Sequence, residues 1–341
     1  MKTNQIETPA LLLDLDKAEA NIATLQSMAQ SRRLKLRPHY KSHKSPYIAY
    51  MQIKAGAVGL TCAKLGEAED LIKAGFPDVL IANQITDPVK ISRLAMLARF
   101  CRLSVCVDDE ANISHLEWAA EAAGSTIYCL VEYEVGMNRC GVETKAEFLH
   151  LVKKIDASPH LVFDGIQAYA GHIAHYTDFA ARLTASQATD GRVSELIAYL
   201  KDHGFPPAIV SGASTGTAGF KKGGIYTELQ AGSYVFMDGA YGELNLDFQN
   251  ALFVLSQVIS AKKDRIVIDA GLKCFGTDQG LPRLVKHVGA PITMSEEHIA
   301  VKLPGHGYQV GDKVFLIPSH GCTTVNLYDN IHLFRGDDVV G

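Results

Sequence analysis

The sequence predicts an α/β protein, a (β/α)8 barrel of the TIM type joined to a smaller, mostly antiparallel β domain. Three observations carry this. Short β-like runs alternate with amphipathic helical stretches through the first two thirds of the chain, the signature of parallel βα units. Eight such runs occur, and eight strands close a barrel of this kind. Beyond about Gly242 the long helices stop, and apolar runs follow one another across Gly, Pro and Asp turns.

The barrel strands are expected at 34–39, 57–62, 79–83, 103–107, 127–132, 162–169, 208–211 and 228–233. Helices are expected between them at 46–55, 65–74, 88–99, 110–123, 145–155 and 179–202, with a poorer one from about Thr215. In the second part, 251–259, 265–268, 299–303 and 313–317 read as strands. The run 10–13 is assigned to that β domain and feeds a helix over 17–30. The expected boundaries are 17–242 for the barrel, and 1–16 with 243–341 for the β domain. No internal repeat or low-complexity segment is evident.

A length of 341 residues accommodates a barrel of about 250 residues plus a partner domain. The charge balance, 33 basic against 37 acidic residues with no like-charge block, argues against nucleic acid or an anionic membrane as partner. The first residues lack an apolar signal core, and no run approaches the roughly 18 apolar residues of a membrane span, so a soluble, cytoplasmic protein is expected. Seven scattered cysteines do not form a disulfide framework. Cys62, Cys101, Cys106 and Cys129 lie in apolar runs and read as small buried hydrophobes.

Barrels of this kind carry their chemistry at the carboxyl ends of the strands. The first strand runs into Arg37-Pro-His39-Tyr-Lys41-Ser-His43-Lys44. If extended geometry continues, Arg37, His39, Lys41 and His43 share one face. Cationic neighbours and restricted water would then suit Lys41 to a Schiff-base role. The seventh strand ends in Ser214-Thr215-Gly216-Thr217 and the eighth in Gly232-Ser233-Tyr234. Small residues and hydroxyls after strands seven and eight fit a phosphate site. After strand five, Glu134-Val-Gly136-Met-Asn-Arg139 places a cation that can reach an anionic oxygen. After strand six, Gln167, Tyr169, His172 and His175 can line the mouth. In the second domain, His320-Gly-Cys322 follows an apolar strand. Imidazole with thiolate favours zinc, and two ligands leave positions open for water or substrate.

These motifs resemble the family of metal-activated D-serine dehydratases and D-threonine aldolases, pyridoxal 5′-phosphate (PLP) enzymes with the alanine-racemase-type barrel. The resemblance is carried by Arg37-Pro-His-Tyr-Lys41-Ser-His-Lys, Gly136-Met-Asn-Arg139-Cys-Gly-Val, Asp269-Ala-Gly-Leu-Lys273, Ser295-Glu-Glu-His298 and His320-Gly-Cys322. It implies that Lys41 is the Schiff-base lysine and that Arg139 lies against the cofactor ring near its phenolic oxygen. It further implies phosphate binding at Thr215–Thr217 and Gly232–Tyr234, and a divalent metal on His320 and Cys322, zinc before manganese or magnesium. The implied protein is a homodimer acting on a small D-3-hydroxy amino acid, such as D-serine, D-threonine or D-3-hydroxyaspartate. His-x-Cys tilts the expectation toward dehydration to a 2-oxo acid and ammonia. The alternative is retro-aldol cleavage to glycine and an aldehyde, with His172 or His175 as base. A racemase or a non-catalytic PLP-binding protein ranks below both. One departure is Glu134, where the resemblance leads one to expect Asp.

Overall fold

The computed structural model describes residues 1–341. Strand β1 (Ala10–Asp14) leads into helix α1 (Leu15–Ser31). Then come β2 (Lys35–Leu36), α2 (Pro46–Lys54), β3 (Leu60–Cys62), α3 (Leu65–Lys73), β4 (Asp78–Ile81), α4 (Pro88–Leu97), β5 (Arg102–Val107), α5 (Glu110–Ala123) and β6 (Ile127–Glu132). They are followed by α6 (Lys145–Asp156), β7 (Leu161–Ala168), α7 (Phe179–Asp202), β8 (Ile209–Gly212), the single turn α8 (Thr215–Ala218) and β9 (Glu228–Leu229). The helix starts follow from sequence. Ser45, Asp87, Asp109, Thr144 and Asp178 accept backbone N–H groups as N-caps, with Pro46 and Pro88 at the first helical position.

The chain divides into two compact units, one of them Leu25–Gly232. In it, parallel strands run in the order β2-β9-β8-β7-β6-β5-β4-β3. Backbone bonds from Val58 N to Leu36 O (2.8 Å) and from Thr61 N to Pro38 O (2.9 Å) join the two ends of that path. The eight strands therefore form the expected barrel. Leu80, Cys106 and Leu130 pack together among its fully buried residues. Close strand approach requires a glycine at 165, where a Cβ would stand 1.8 Å from the Ile209 carbonyl oxygen. The amino-terminal ends carry buried charge: Arg37 bonds Glu228 at 2.8 Å and Asp78 at 2.6 Å, and Arg102 bonds Asp164 at 2.7 Å.

The first barrel strand, β2, is shorter than expected, with a consequence for the site. Pro38 has no N–H for the ladder, and the Lys41 N–H turns back to His39 Nδ1 at 3.4 Å. Residues Tyr40–Ser42 form a 3-10 turn, not a strand. Arg37, His39, Lys41 and His43 therefore do not share one face. Arg37 is consumed in the ion pairs of the barrel's amino-terminal end, His43 is buried against Gln52, and Lys41 is exposed.

The other unit is Met1–Thr24 with Ser233–Gly341. Its later elements are α9 (Gly239–Gly242), β10 (Leu252–Lys262), β11 (Arg265–Ile268), β12 (Arg283–Leu284), β13 (Ile292–Met294), β14 (Ile299–Lys302), β15 (Lys313–Ile317), α10 (Gly321–Val325), β16 (His332–Arg335) and β17 (Asp338–Val339). Its strands form one mostly antiparallel sheet with the path β13-β14-β11-β10-β1-β16-β17, and β15 pairs with β10 and β12. The run at 10–13 does pair here, antiparallel to β10, while β1 and β16 are parallel. Ile6, Leu12, Phe253, Leu255 and Phe334 pack together beneath the sheet. No helix is long and apolar enough to cross a membrane.

Candidate active site

Lys41, His39, Arg139, Gln167 and Tyr169 line one cavity of about 210 Å³ with Ala63, Ala82, Asn83 and Gln230. All come from the carboxyl ends of barrel strands or the turns that follow. Lys41 Nζ stands 6.0 Å, and the Arg139 guanidinium 5.8 Å, from the Tyr169 ring centroid. Buried Gln167 and Gln230 exchange two amide hydrogen bonds, at 3.0 and 2.7 Å, and Gln230 also donates to Ser211 Oγ. His39 is held neutral, its pKa pushed well down by burial and then by its neighbours Lys41, His43 and Arg139. Arg139 reaches Glu132, 3.5 Å away, whose carboxyl is pushed up by burial against the support of Gln84 and Arg139.

The segment Ser211–Ala218 is wholly buried. It passes through Ala213 in the left-handed region, φ 66°, and then makes the α8 turn, where Ser214 N donates to Thr217 Oγ1 at 3.1 Å. Non-glycine residues rarely adopt that conformation, and such strain gathers at ligand sites. Gln230 N donates to Gly212 O at 2.8 Å, which ties the end of β9 to this segment. Gly232 is needed for packing on its own account, since a Cβ there would meet Ser42 Oγ at 2.3 Å. His172 is exposed in the turn Gly171–Ile173, and His175 is half-buried just beyond it.

These residues fit a pyridine aldehyde phosphate. An amine and a guanidinium border a cavity walled by an aromatic ring, and buried hydroxyls gather at the adjoining strand end. The barrel unit supplies them all. Ser233 and Tyr234 belong to the other unit, where the Ser233 hydroxyl lies 3.5 Å from Cys322 Sγ.

His320 and Cys322 sit at the start of α10. The His320 pKa is pushed up to about 9, first by its hydrogen bond to Cys322 and then by Asp278. Asp278 Oδ2 takes the Nδ1 of His320 at 2.6 Å, and its other oxygen accepts from Thr323 at 2.8 Å. A carboxylate on the imidazole Nδ1, with a thiol hydrogen-bonded to the same side chain, is donor chemistry that suits a metal-binding histidine with its outer partner. No group of three or more His, Cys, Asp and Glu side chains converges on one point. A divalent ion held by His320 and Cys322 would have Asp278 behind the imidazole as its outer partner. Sequence reasoning missed Asp278. It lies 42 residues from His320, and only the fold brings them together.

The model of the alanine racemase N-terminal domain matches residues 13–239, and that of a serine dehydratase domain matches 251–334. The D-threonine aldolase of Arthrobacter sp. is 39% identical over 345 residues, 98% of this chain and 91% of that one. The chain belongs to the alanine-racemase-type PLP enzymes, in the family of D-threonine aldolases and D-serine dehydratases. Another member of this family, the 3-hydroxy-D-aspartate aldolase of Paracoccus denitrificans (strain Pd 1222), is 39% identical, covering 96% of this chain and 89% of the relative. The D-threo-3-hydroxyaspartate dehydratase of Delftia sp. (strain HT23) is 28% identical, covering 94% and 92%. The crystal structure of D-threonine aldolase from Filomicrobium marinum superposes with a TM-score of 0.96 at 37% identity, covering 99% of this chain and 95% of that one. The chain is an enzyme of this family.

Proposed function

We propose that the protein is a PLP- and divalent-metal-dependent lyase that cleaves D-3-hydroxy amino acids between Cα and Cβ, releasing glycine and an aldehyde. The observation that carries this reading is 39% identity to a D-threonine aldolase over 98% of the chain. Lys41 is the amine that would hold the cofactor covalently, with Arg139 at its phenolic oxygen and Gln167 and Tyr169 walling the ring. Ser214–Thr217 with Gly232, Ser233 and Tyr234 would hold the phosphate. Bound there, PLP supplies an electron sink for the charge left on Cα. His320 and Cys322 would hold the metal, zinc by preference for thiolate, which supplies Lewis acidity toward an alcohol oxygen. His172 or His175 takes the β-hydroxyl proton, and the Lys41 amine delivers one to Cα, so the products balance. A homodimer in the cytoplasm completes the reading.

Cys322 favours a second reading, loss of the hydroxyl to give a 2-oxo acid and ammonia, as does the 28% identity to a hydroxyaspartate dehydratase. A product assay with D-threonine, D-serine and D-3-hydroxyaspartate, with and without chelator, separates the two. Chelator-sensitive glycine and aldehyde support cleavage, whereas 2-oxo acid and ammonia establish the second reading. Lys41→Ala is expected to abolish either, and turnover retained in that variant would sink the assignment.

A further inference from the structure

The turn that presents Arg139 is organised by one carboxylate. Glu134 Oε1 accepts the N–H of Gly136 at 2.8 Å, that of Asn138 at 3.0 Å, and that of Met137 between them. Three successive amides converging on one anion form a nest, and charge-assisted bonds of this kind are the stronger ones. They hold a backbone that has little preference for its shape, since Gly136 (φ 114°) and Asn138 (φ 51°) are both left-handed. Hydrogen bonding to those amides also draws the Glu134 carboxyl below its usual range, outweighing the burial that pushes it up.

The ends of the turn are pinned separately. Glu134 N donates to Val142 O and Val142 N to Glu132 O, both at 3.0 Å, while Gly141 N donates to Asp108 Oδ2 at 2.8 Å. Arg192 bonds the Glu134 carbonyl at 2.8 Å. Between these pins the nest fixes the backbone of the segment that carries Arg139. The same segment packs on the turn after β7, because a Cβ on Gly136 would meet His172 Nε2 at 3.1 Å.

We propose that Glu134 is a positioning residue, holding Gly136–Asn138 so that Arg139 is aimed into the Lys41 cavity. The inference rests on the reading of that cavity as the PLP site. It is tested by a double-mutant cycle on the full-length protein, read as the PLP dissociation constant and the position of the bound cofactor's absorbance band. Glu134→Gln should weaken PLP binding about tenfold, the scale of a weakened charge-assisted hydrogen bond. It should also move the band in the same direction as Arg139→Ala. In the Arg139→Ala background the same change should cost less than about twofold, because residues acting through one another do not add. Glu134→Asp keeps the charge and should stay within about threefold of wild type. Should Glu134→Gln fail to fold, Glu134→Asn, which also removes the charge but keeps a short amide acceptor for the turn, gives the same cycle against Arg139→Ala. Equal losses in both backgrounds would overturn the proposal and leave the cavity reading intact. No effect of Arg139→Ala on PLP binding would overturn both.

Discussion

Asp278→Asn probes the metal reading through a residue that is not itself a ligand. In the folded chain Asp278 bonds His320 Nδ1 at 2.6 Å and Thr323 Oγ1 at 2.8 Å. The anionic partner fixes the ring orientation and raises the basicity of the other nitrogen. Removing such partners costs metal affinity about 10–100-fold, equivalent to about 1.4–2.8 kcal/mol. The Asp278 side chain is 47% exposed, so fold stability should change by less than about 1 kcal/mol. Metal affinity is measured by titrating metal-stripped protein against a chromophoric chelator, with thermal unfolding in parallel. Thr323→Val is the control. It removes one bond to Asp278 but leaves the His320 contact, and should cost less than about threefold. Affinity within twofold of wild type for Asp278→Asn, at unchanged Tm, would show that the ion is not held through His320 in this geometry.

Two further predictions concern the barrel. Arg37→Met leaves Glu228, whose side chain is 3% exposed, without its cation. The cost should be about 3–5 kcal/mol, lowering Tm by on the order of 10 °C. Adding Glu228→Gln should recover most of it, and a single variant melting within about 2 °C of wild type would refute the ion pair's role. His43 is held neutral, its pKa pushed down to about 4 by burial against the support of its bonds to Gln52 and Ser45. The unfolded chain takes up that proton near pH 6.5 and the folded chain only near 4. Stability is thus intact above 6.5 and falls as pH drops across that window, by up to about 1.4 kcal/mol per unit. His43→Gln should flatten the pH dependence of urea unfolding by about one proton. An unchanged slope would refute the assignment.

Much of this was legible in sequence, because it is local. The periodicities of helix and strand and the caps at Ser45, Asp87, Asp109 and Asp178 involve residues at most four apart. So eight βα runs followed by turn-separated strands were enough to name the barrel and the antiparallel sheet. The carboxyl-end rule then gathered Lys41, Arg139, Gln167 and Tyr169 as candidates, and the structure lines one cavity with them. What sequence could not give depends on partners distant in the chain. The alternation argument put Arg37 beside Lys41. Glu228 and Asp78, brought to it by strand pairing, draw Arg37 into the barrel's amino-terminal end, and the 3-10 turn after Pro38 breaks the alternation. Asp278 carries no local mark of its role and meets His320 only through the fold of its unit. Periodicity is a property of neighbours along the chain. The pairing of charges is set by which strand ends and turns the fold brings together, and only the tertiary structure decided that.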